Sequence, residues 1–267
     1  MIKEFTRFFG YLIINLIFLV ILSSCTINSI KFNNNKIYKN VKNIKPVNDN
    51  YSDYEDEFED SFENEPVAIY DPLESFNRKC FKFNDKFYFW VLKPAASNYG
   101  YYVPESVRLS IRNFFFNIET PIRAANSILQ IKPYSCFSEI SRFTINTTIG
   151  FLGFFDSASK MTNLKPANED FGQTMGTYKI GNGMYIVFPF LGPSSIRDFS
   201  GSFVDAFLDP ISYIDSFAVG AGIKSVDIIN KTSLKIGEYE SLKQAAFEPY
   251  DALKDGYVQM RNKMISE

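Results

Sequence analysis

Gly181-Asn182-Gly183-Met184-Tyr185-Ile186-Val187-Phe188-Pro189-Phe190-Leu191-Gly192-Pro193-Ser194-Ser195-Ile196-Arg197-Asp198 is the stretch on which the reading of this chain turns. Two glycines open it and large apolar side chains follow. Pro189 interrupts any regular ladder, and Gly192-Pro193-Ser194 turns the chain toward a helix. A helix that crosses a membrane needs roughly 20 apolar residues. This run is too short and contains a proline, so two readings stay open: a buried core segment, or one that dips into an apolar surround and returns.

Working outward, the composition favours an apolar surround. The 267 residues are 46% hydrophobic and include 28 phenylalanines against one tryptophan and no histidine. So many rings in a chain with 22% charged residues suggest that some face lipid or a lipid-like ligand. The missing imidazole excludes a Ser-His-Asp or Cys-His nucleophile and an HExxH zinc site. A net charge of −2 argues against a nucleic-acid backbone binder. No motif for a cofactor or a nucleotide is present, so any energy driving net flux must come from partners. Cys80 and Cys136 have neither metal-site nor redox spacing; they read as separate buried thiols, with a disulfide as the alternative.

At the amino terminus, Lys3 and Arg7 precede the apolar run Phe8 to Leu22, which ends in Leu22-Ser23-Ser24-Cys25. A short basic region, an apolar stretch and small residues before a cleavage point describe a signal peptide over 1–24. Leu22-Ser23-Ser24-Cys25 resembles the bacterial lipobox, which makes Cys25 the lipidated first residue of the mature protein, carrying acyl chains such as palmitate. Thr26 follows where lipoproteins kept at the inner membrane often have Asp, which implies the outer membrane. Residues 25–66 then form an Asn/Lys-rich piece and an acidic run, Asp49, Asp53, Glu55, Asp56, Glu57, Glu59, Asp60, Glu63 and Glu65, expected as a flexible tether.

The folded part is expected over 67–264 and to be mostly α. Asp71 is placed as the N-cap of a helix with Pro72 at its first position and Glu74 completing a capping box. Leu73, Phe76, Cys80, Phe83, Phe87 and Trp90 recur at helical steps until Pro94 ends the run. Asn77 and Asn84 fall on that same face, and an amide there must find a partner or cost about 1–3 kcal/mol. Pro104 opens a helix striped by Val107, Ile111, Phe114 and Ile118. Thr120-Pro121 opens another, with Asn126 on its apolar side, which Pro133 stops. Ser135 caps the next, with Phe137, Ile140 and Thr144 inward. Glu169-Asp170 reads as helix capping before an acid/base pair. Ser194 or Ser195 caps a helix faced by Ile196, Phe199, Phe203 and Phe207, and further helices are expected near 219–235 and 239–264 with a restart at Pro249.

Read together, Asp71-Pro72-Leu73-Glu74-Ser75-Phe76-Asn77-Arg78, Asn146-Thr147-Thr148-Ile149-Gly150, Glu169-Asp170-Phe171-Gly172-Gln173-Thr174 and Gly192-Pro193-Ser194-Ser195-Ile196-Arg197-Asp198 resemble the VacJ/MlaA family of outer-membrane lipoproteins. The resemblance implies a ring-like helical domain partly embedded in one membrane leaflet, on the periplasmic face of the outer membrane, with an amphipathic channel through it. It implies a non-enzymatic function: removing phospholipids from the outer leaflet and passing them to a soluble periplasmic carrier, often beside trimeric porins. Asn77, Asn84, Asn126, Phe188 and Phe190 are the candidate channel residues. Departures are Ser75 and Ile131 where glycine is usual, and Glu248 for Asp before Pro249.

The competing readings are a structural or adhesive surface lipoprotein that binds a porin or host surface, and a lipid hydrolase using Ser194 or Ser195. The second lacks both a GxSxG elbow and a histidine base.

Overall fold

The computed structural model describes residues 69–161 and 163–266, so the signal peptide, Cys25 and the tether expected over 25–66 lie outside the described residues. Helices dominate: α1 (Glu74–Phe87), a π-helical segment (Tyr88–Leu92), α2 (Lys93–Tyr102), α3 (Glu105–Ile118), α4 (Thr120–Leu129), α5 (Pro133–Thr148), α6 (Ser157–Met161) and α7 (Phe171–Thr177). A hairpin of β1 (Tyr185–Phe188) and β2 (Gly192–Ser195) follows, then α8 (Ile196–Ala206), a 3₁₀ turn (Pro210–Tyr213), α9 (Phe217–Leu234), α10 (Glu238–Ala245) and α11 (Pro249–Ser266). No described helix is long and apolar enough to cross a membrane.

The packing closes on itself. From α1 the contacts run through the π segment to α2, α9, α3, α4, α7 and α11, then across β2 and β1 back to α1. Strands β1 and β2 pair antiparallel, with Tyr185 opposite Ser195 and Phe188 opposite Gly192. This corrects the opening expectation: Pro189 does not break the ladder but sits in its turn, and Gly192-Pro193-Ser194 is strand. Only at Ser195, whose hydroxyl accepts from the Asp198 N–H at 3.1 Å, does α8 begin.

The face of α5 expected inward is turned outward, and much of the aromatic stripes of α1 and α8 lies outside with it. Asn77, Arg123, Asn126, Glu139, Arg142, Gln173, Arg197 and Arg261 are buried, whereas Phe76, Phe83, Trp90, Phe137, Ile140, Phe203 and Phe207 are exposed. Buried polar groups must pair, and they do: Arg123 Nε meets Glu139 Oε2 at 2.7 Å, and Arg142 Nη2 meets Asp156 Oδ2 at 2.8 Å. An aromatic exterior of this extent marks a surface made for an apolar surround. Periodicity located the stripes but took their inner side to be the greasy one.

Prolines account for the other local corrections. Pro94 does not end the first helix. The π segment widens the turn, so that Lys93 N–H reaches the Tyr88 carbonyl, and the helix runs on through Pro94 into α2 without a break. Pro133 starts α5 and does not stop α4, so Ser135 is not the cap. Asp71 is not an N-cap either. Its carboxylate accepts from Asn77 Nδ2 at 2.8 Å and from the Tyr250 hydroxyl at 2.5 Å, tying α1 to α11. Cys80 and Cys136 are buried free thiols.

Two backbone positions are exacting. Where α7 crosses α8, a methyl on Gly201 would lie 2.6 Å from Gly172 N, and one on Gly172 would lie 2.5 Å from Asp198 Oδ1. Past α4, Ile131 has φ 58°, with Lys132 N–H bonded to Ser127 O and Ile131 N–H to Ile128 O. That is a Schellman closure with a β-branched residue where glycine fits. Ile131→Gly is expected to stabilise the domain by about 1 kcal/mol, read as a rise in Tm of about 2–4 °C.

Candidate functional site

An apolar cavity of about 550 Å³ opens beside the hairpin, walled by α1 and the π segment, the β1–β2 turn, and α9, α10 and α11. Local sequence explains each wall. Helix α1 presents Phe81 and Phe87, the π segment rotates Val91 and Leu92 into line, and α9 contributes Ile228 and Ile229. From the hairpin come Val187, Phe190 and Leu191.

The tip of the hairpin is fixed to α1 by one amide. Asn84 Nδ2 donates to Phe188 O at 2.9 Å, and Phe190 N–H donates to Asn84 Oδ1 at 2.8 Å. These bonds hold Phe190 at φ 67°, its ring edge-on to Phe83 and Phe87 with centroids 5.0 Å from each. Phe190 is 66% exposed, so the three rings make a greasy rim at the mouth. Asn84→Leu is expected to leave the fold intact while freeing the tip, seen as faster hydrogen exchange confined to residues 188–192; unchanged exchange there would contradict the tether.

Of the five channel candidates, the structure brings Asn84 and Phe190 to the cavity. Asn77 and Asn126 do not line it. Asn77 is fully buried, donating to Asp71 and to Tyr185 O at 3.0 Å and accepting from Val187 N–H at 2.8 Å. Asn126, also fully buried, donates to Asp205 Oδ1 at 2.8 Å and accepts from the Thr174 hydroxyl at 2.9 Å. Phe188 stacks on Phe199 at 4.3 Å and does not reach the cavity wall. Cys25 lies outside the described residues.

Sequence reasoning missed the polar groups of the cavity wall. Asp85 Oδ1 accepts from the Tyr239 hydroxyl at 3.0 Å and pairs with Lys243 Nζ at 2.6 Å. Beside it, Glu240 pairs with Lys93 at 2.6 Å and accepts from the Tyr88 hydroxyl at 3.0 Å. Burial, followed by these hydrogen bonds, pushes both tyrosine hydroxyls above their ordinary range, so they remain donors. Burial works against the Glu240 carboxylate, but Lys93 and Tyr88 outweigh it and hold it below the usual range. Partners 147 to 158 positions apart leave no local signal.

The serines proposed for hydrolysis are differently occupied. Ser195 caps α8, and the Ser194 hydroxyl lies 3.3 Å from Ser195 O. Around them, the motif residues Asp170 and Asp198 converge on Arg261 from α11, at 2.6 and 2.9 Å. Asp170 caps α7 through the Gln173 N–H, as its sequence position predicted.

The sequence profile of the MlaA lipoprotein matches residues 69–264, almost the whole described domain. The chain belongs to the MlaA lipoprotein family. The Escherichia coli intermembrane phospholipid transport system lipoprotein MlaA is 32% identical over 193 residues, covering 71% of this chain and 76% of that one. A Rickettsia conorii protein is 31% identical over 206 residues, covering 77% and 82% of the two chains. A solved structure described as the structural basis for maintenance of bacterial outer membrane lipid asymmetry superposes with a TM-score of 0.66 at 32% identity. It spans 73% of this chain and 98% of its own. The four quoted motifs all fall within the matched residues of this MlaA domain.

Proposed function

We propose that this chain is a non-enzymatic phospholipid conduit, taking lipid past the Phe83–Phe87–Phe190 rim into the cavity beside the hairpin. The observation that carries the reading is that cavity: nearly all its wall is apolar, it opens outward, and Asp85, Tyr88 and Tyr239 bring polar groups to it. Moving acyl chains through water costs about 0.8 kcal/mol per methylene, so a route must keep them covered. Phe81, Leu92, Val187, Ile228 and Ile229 provide such cover, while the aromatic exterior seats the domain in a leaflet.

In this reading Cys25 anchors the chain to the periplasmic face of the outer membrane. Strayed outer-leaflet phospholipid leaves through the cavity to a soluble periplasmic carrier, with a trimeric porin as the neighbouring scaffold. The membership of the MlaA family and the names of its relatives support phospholipid transport as the work of the chain.

Protein extracted in mild detergent is expected to carry phospholipid detectable by native mass spectrometry. Ile229→Lys, which puts a lone ammonium into the cavity wall, is expected to reduce that load about tenfold or more, with Ile229→Leu as the control. Wild-type protein free of lipid, or a lysine variant as loaded as wild type, would sink the conduit reading and favour an adhesive role.

A further inference from the structure

The cavity wall is mostly apolar, and its few polar groups are unlike one another in what they have left to offer. Asn84 has its amide committed to the hairpin, donor and acceptor both, and the Ser225 hydroxyl donates to Ala221 O at 2.8 Å. Asp85 differs. It lines the cavity, and both of its contacts, from Tyr239 and Lys243, fall on Oδ1, so an incoming cation would meet Oδ2. Its side chain is 20% exposed and that of Lys243 is 35% exposed, which leaves both able to turn toward a ligand.

The neighbouring pair, Glu240 with Lys93, completes a set of two carboxylates and two ammonium groups. Lys93 and Lys243 lie over the Phe89 ring, at 5.5 and 4.8 Å from its centroid, and the Tyr88 and Tyr239 rings meet at 4.9 Å. The cluster therefore alternates in sign, sums to zero and is packed against rings. In such a place a ligand of zero net charge adds no uncompensated charge, whereas an anion adds one to a cluster whose two ammonium groups are already paired.

We propose that Asp85 and Lys243, with Tyr239, form a head-group subsite selective for zwitterionic phospholipid bearing a primary amine. The ligand ammonium exchanges onto Asp85 and its phosphate onto Lys243. The Asp85–Lys243 pair opens and is replaced by two new pairs, with charge conserved throughout. An ethanolamine head can donate charge-assisted hydrogen bonds to Asp85, a choline head brings positive charge without N–H donors, and a glycerol head brings neutral hydroxyl donors with an uncompensated negative charge. This inference rests on the conduit reading and specifies its substrate.

The test uses the delipidated full chain in detergent. It is offered equimolar phosphatidylethanolamine, phosphatidylcholine and phosphatidylglycerol of matched acyl chains, and occupancy is read by native mass spectrometry. The ethanolamine lipid is expected to exceed the glycerol lipid about fivefold, the factor that about 1 kcal/mol of partly exposed charge contact gives, with the choline lipid between. The double variant Asp85→Asn with Lys243→Gln keeps a donor facing an acceptor, so it preserves the link between α1 and α10 while removing the charges. Its preference is expected to fall to parity, and Lys243→Arg is expected to retain it. Lipid bound without regard to head group in the wild type, or a double variant as selective as wild type, overturns the subsite and leaves the conduit standing. No lipid bound at all overturns both.

Discussion

Arg261→Met is expected to lower the stability of the domain by about 3 kcal/mol or more, a fall in Tm on the order of 10 °C. The guanidinium reaches Asp170 at 2.6 and 2.9 Å and Asp198 at 2.9 and 3.0 Å, and the Tyr257 hydroxyl donates to Asp198 at 2.5 Å. Removing the cation leaves Asp170 without its counter-charge and Asp198 with Arg197 alone, whose Nε lies 3.0 Å from Oδ1. The Asp170 side chain is 35% exposed, so water offsets part of its loss; that of Asp198 is 10% exposed and has less recourse. The same network sets an acid dependence. Burial alone would raise both carboxyls, but Arg261 and the surrounding donors outweigh it and hold them below the ordinary range. Groups with depressed folded-state pKa values stabilise above the unfolded value of about 4, and that contribution is lost as pH falls through the folded values. Unfolding midpoints measured from pH 7 down to 3 should therefore fall steeply below about pH 4 in wild type and less steeply in the methionine variant. Equal slopes in the two proteins would remove the network from the account.

The second large effect is expected at Asn77→Leu. The side chains are close in size, so little volume changes, but three partners lose their bonds: the Tyr185 carbonyl, the Val187 N–H and the Asp71 carboxylate. Tyr185 and Val187 belong to the apolar cluster with Cys80 and Tyr250, where water cannot take over. At about 1–3 kcal/mol for each buried group left unsatisfied, the expected cost is about 3–5 kcal/mol, enough to prevent accumulation of folded protein. Asn84→Leu, about two helical turns further along the same face, should by contrast leave Tm nearly unchanged. Urea titrations of the two variants check the contrast, and similar midpoints would show that both amides serve the hairpin alike.

That contrast shows what a stripe pattern can and cannot tell. Asn77, Asn84 and Asn126 are legible as amides on apolar faces, and the rule that such groups need partners was sound. Which partner each finds depends on chain 48 to 110 positions away, and there the three diverge. Two became internal struts and one became the catch of the hairpin. Phe137, Ile140, Phe203 and Phe207 make the same point from the apolar side. A period of 3.6 finds a greasy stripe in α5 or α8, but it does not say whether protein or lipid will cover it. The decisive companions were Arg123, Arg142 and Arg197, whose pairing with Glu139, Asp156 and Asp198 gives the inward faces their polarity.

Punctuation was more legible than direction. The Asp170 cap, the Pro104 and Thr120-Pro121 helix starts and the Pro249 restart lie where local chemistry put them, because capping and proline geometry act over one turn and need no distant partner. Pro94 and Pro133 were misread for the same locality: a proline marks a boundary, and the strand of chain on either side of it decides whether something ends or begins there.

From its residues alone this chain settled its helical class, the absence of imidazole chemistry, its resemblance to a family and the existence of greasy stripes separated by prolines, all of which depend on composition or on neighbours within a few positions. Tertiary structure alone decided that the polar faces turn inward, that Asn84 clasps the hairpin at the cavity mouth, and that Asp85 of the cavity wall meets Lys243. Those outcomes depend on charges and amides brought together across the whole fold, where pairing in a dry interior outweighs the local preference of any single helix.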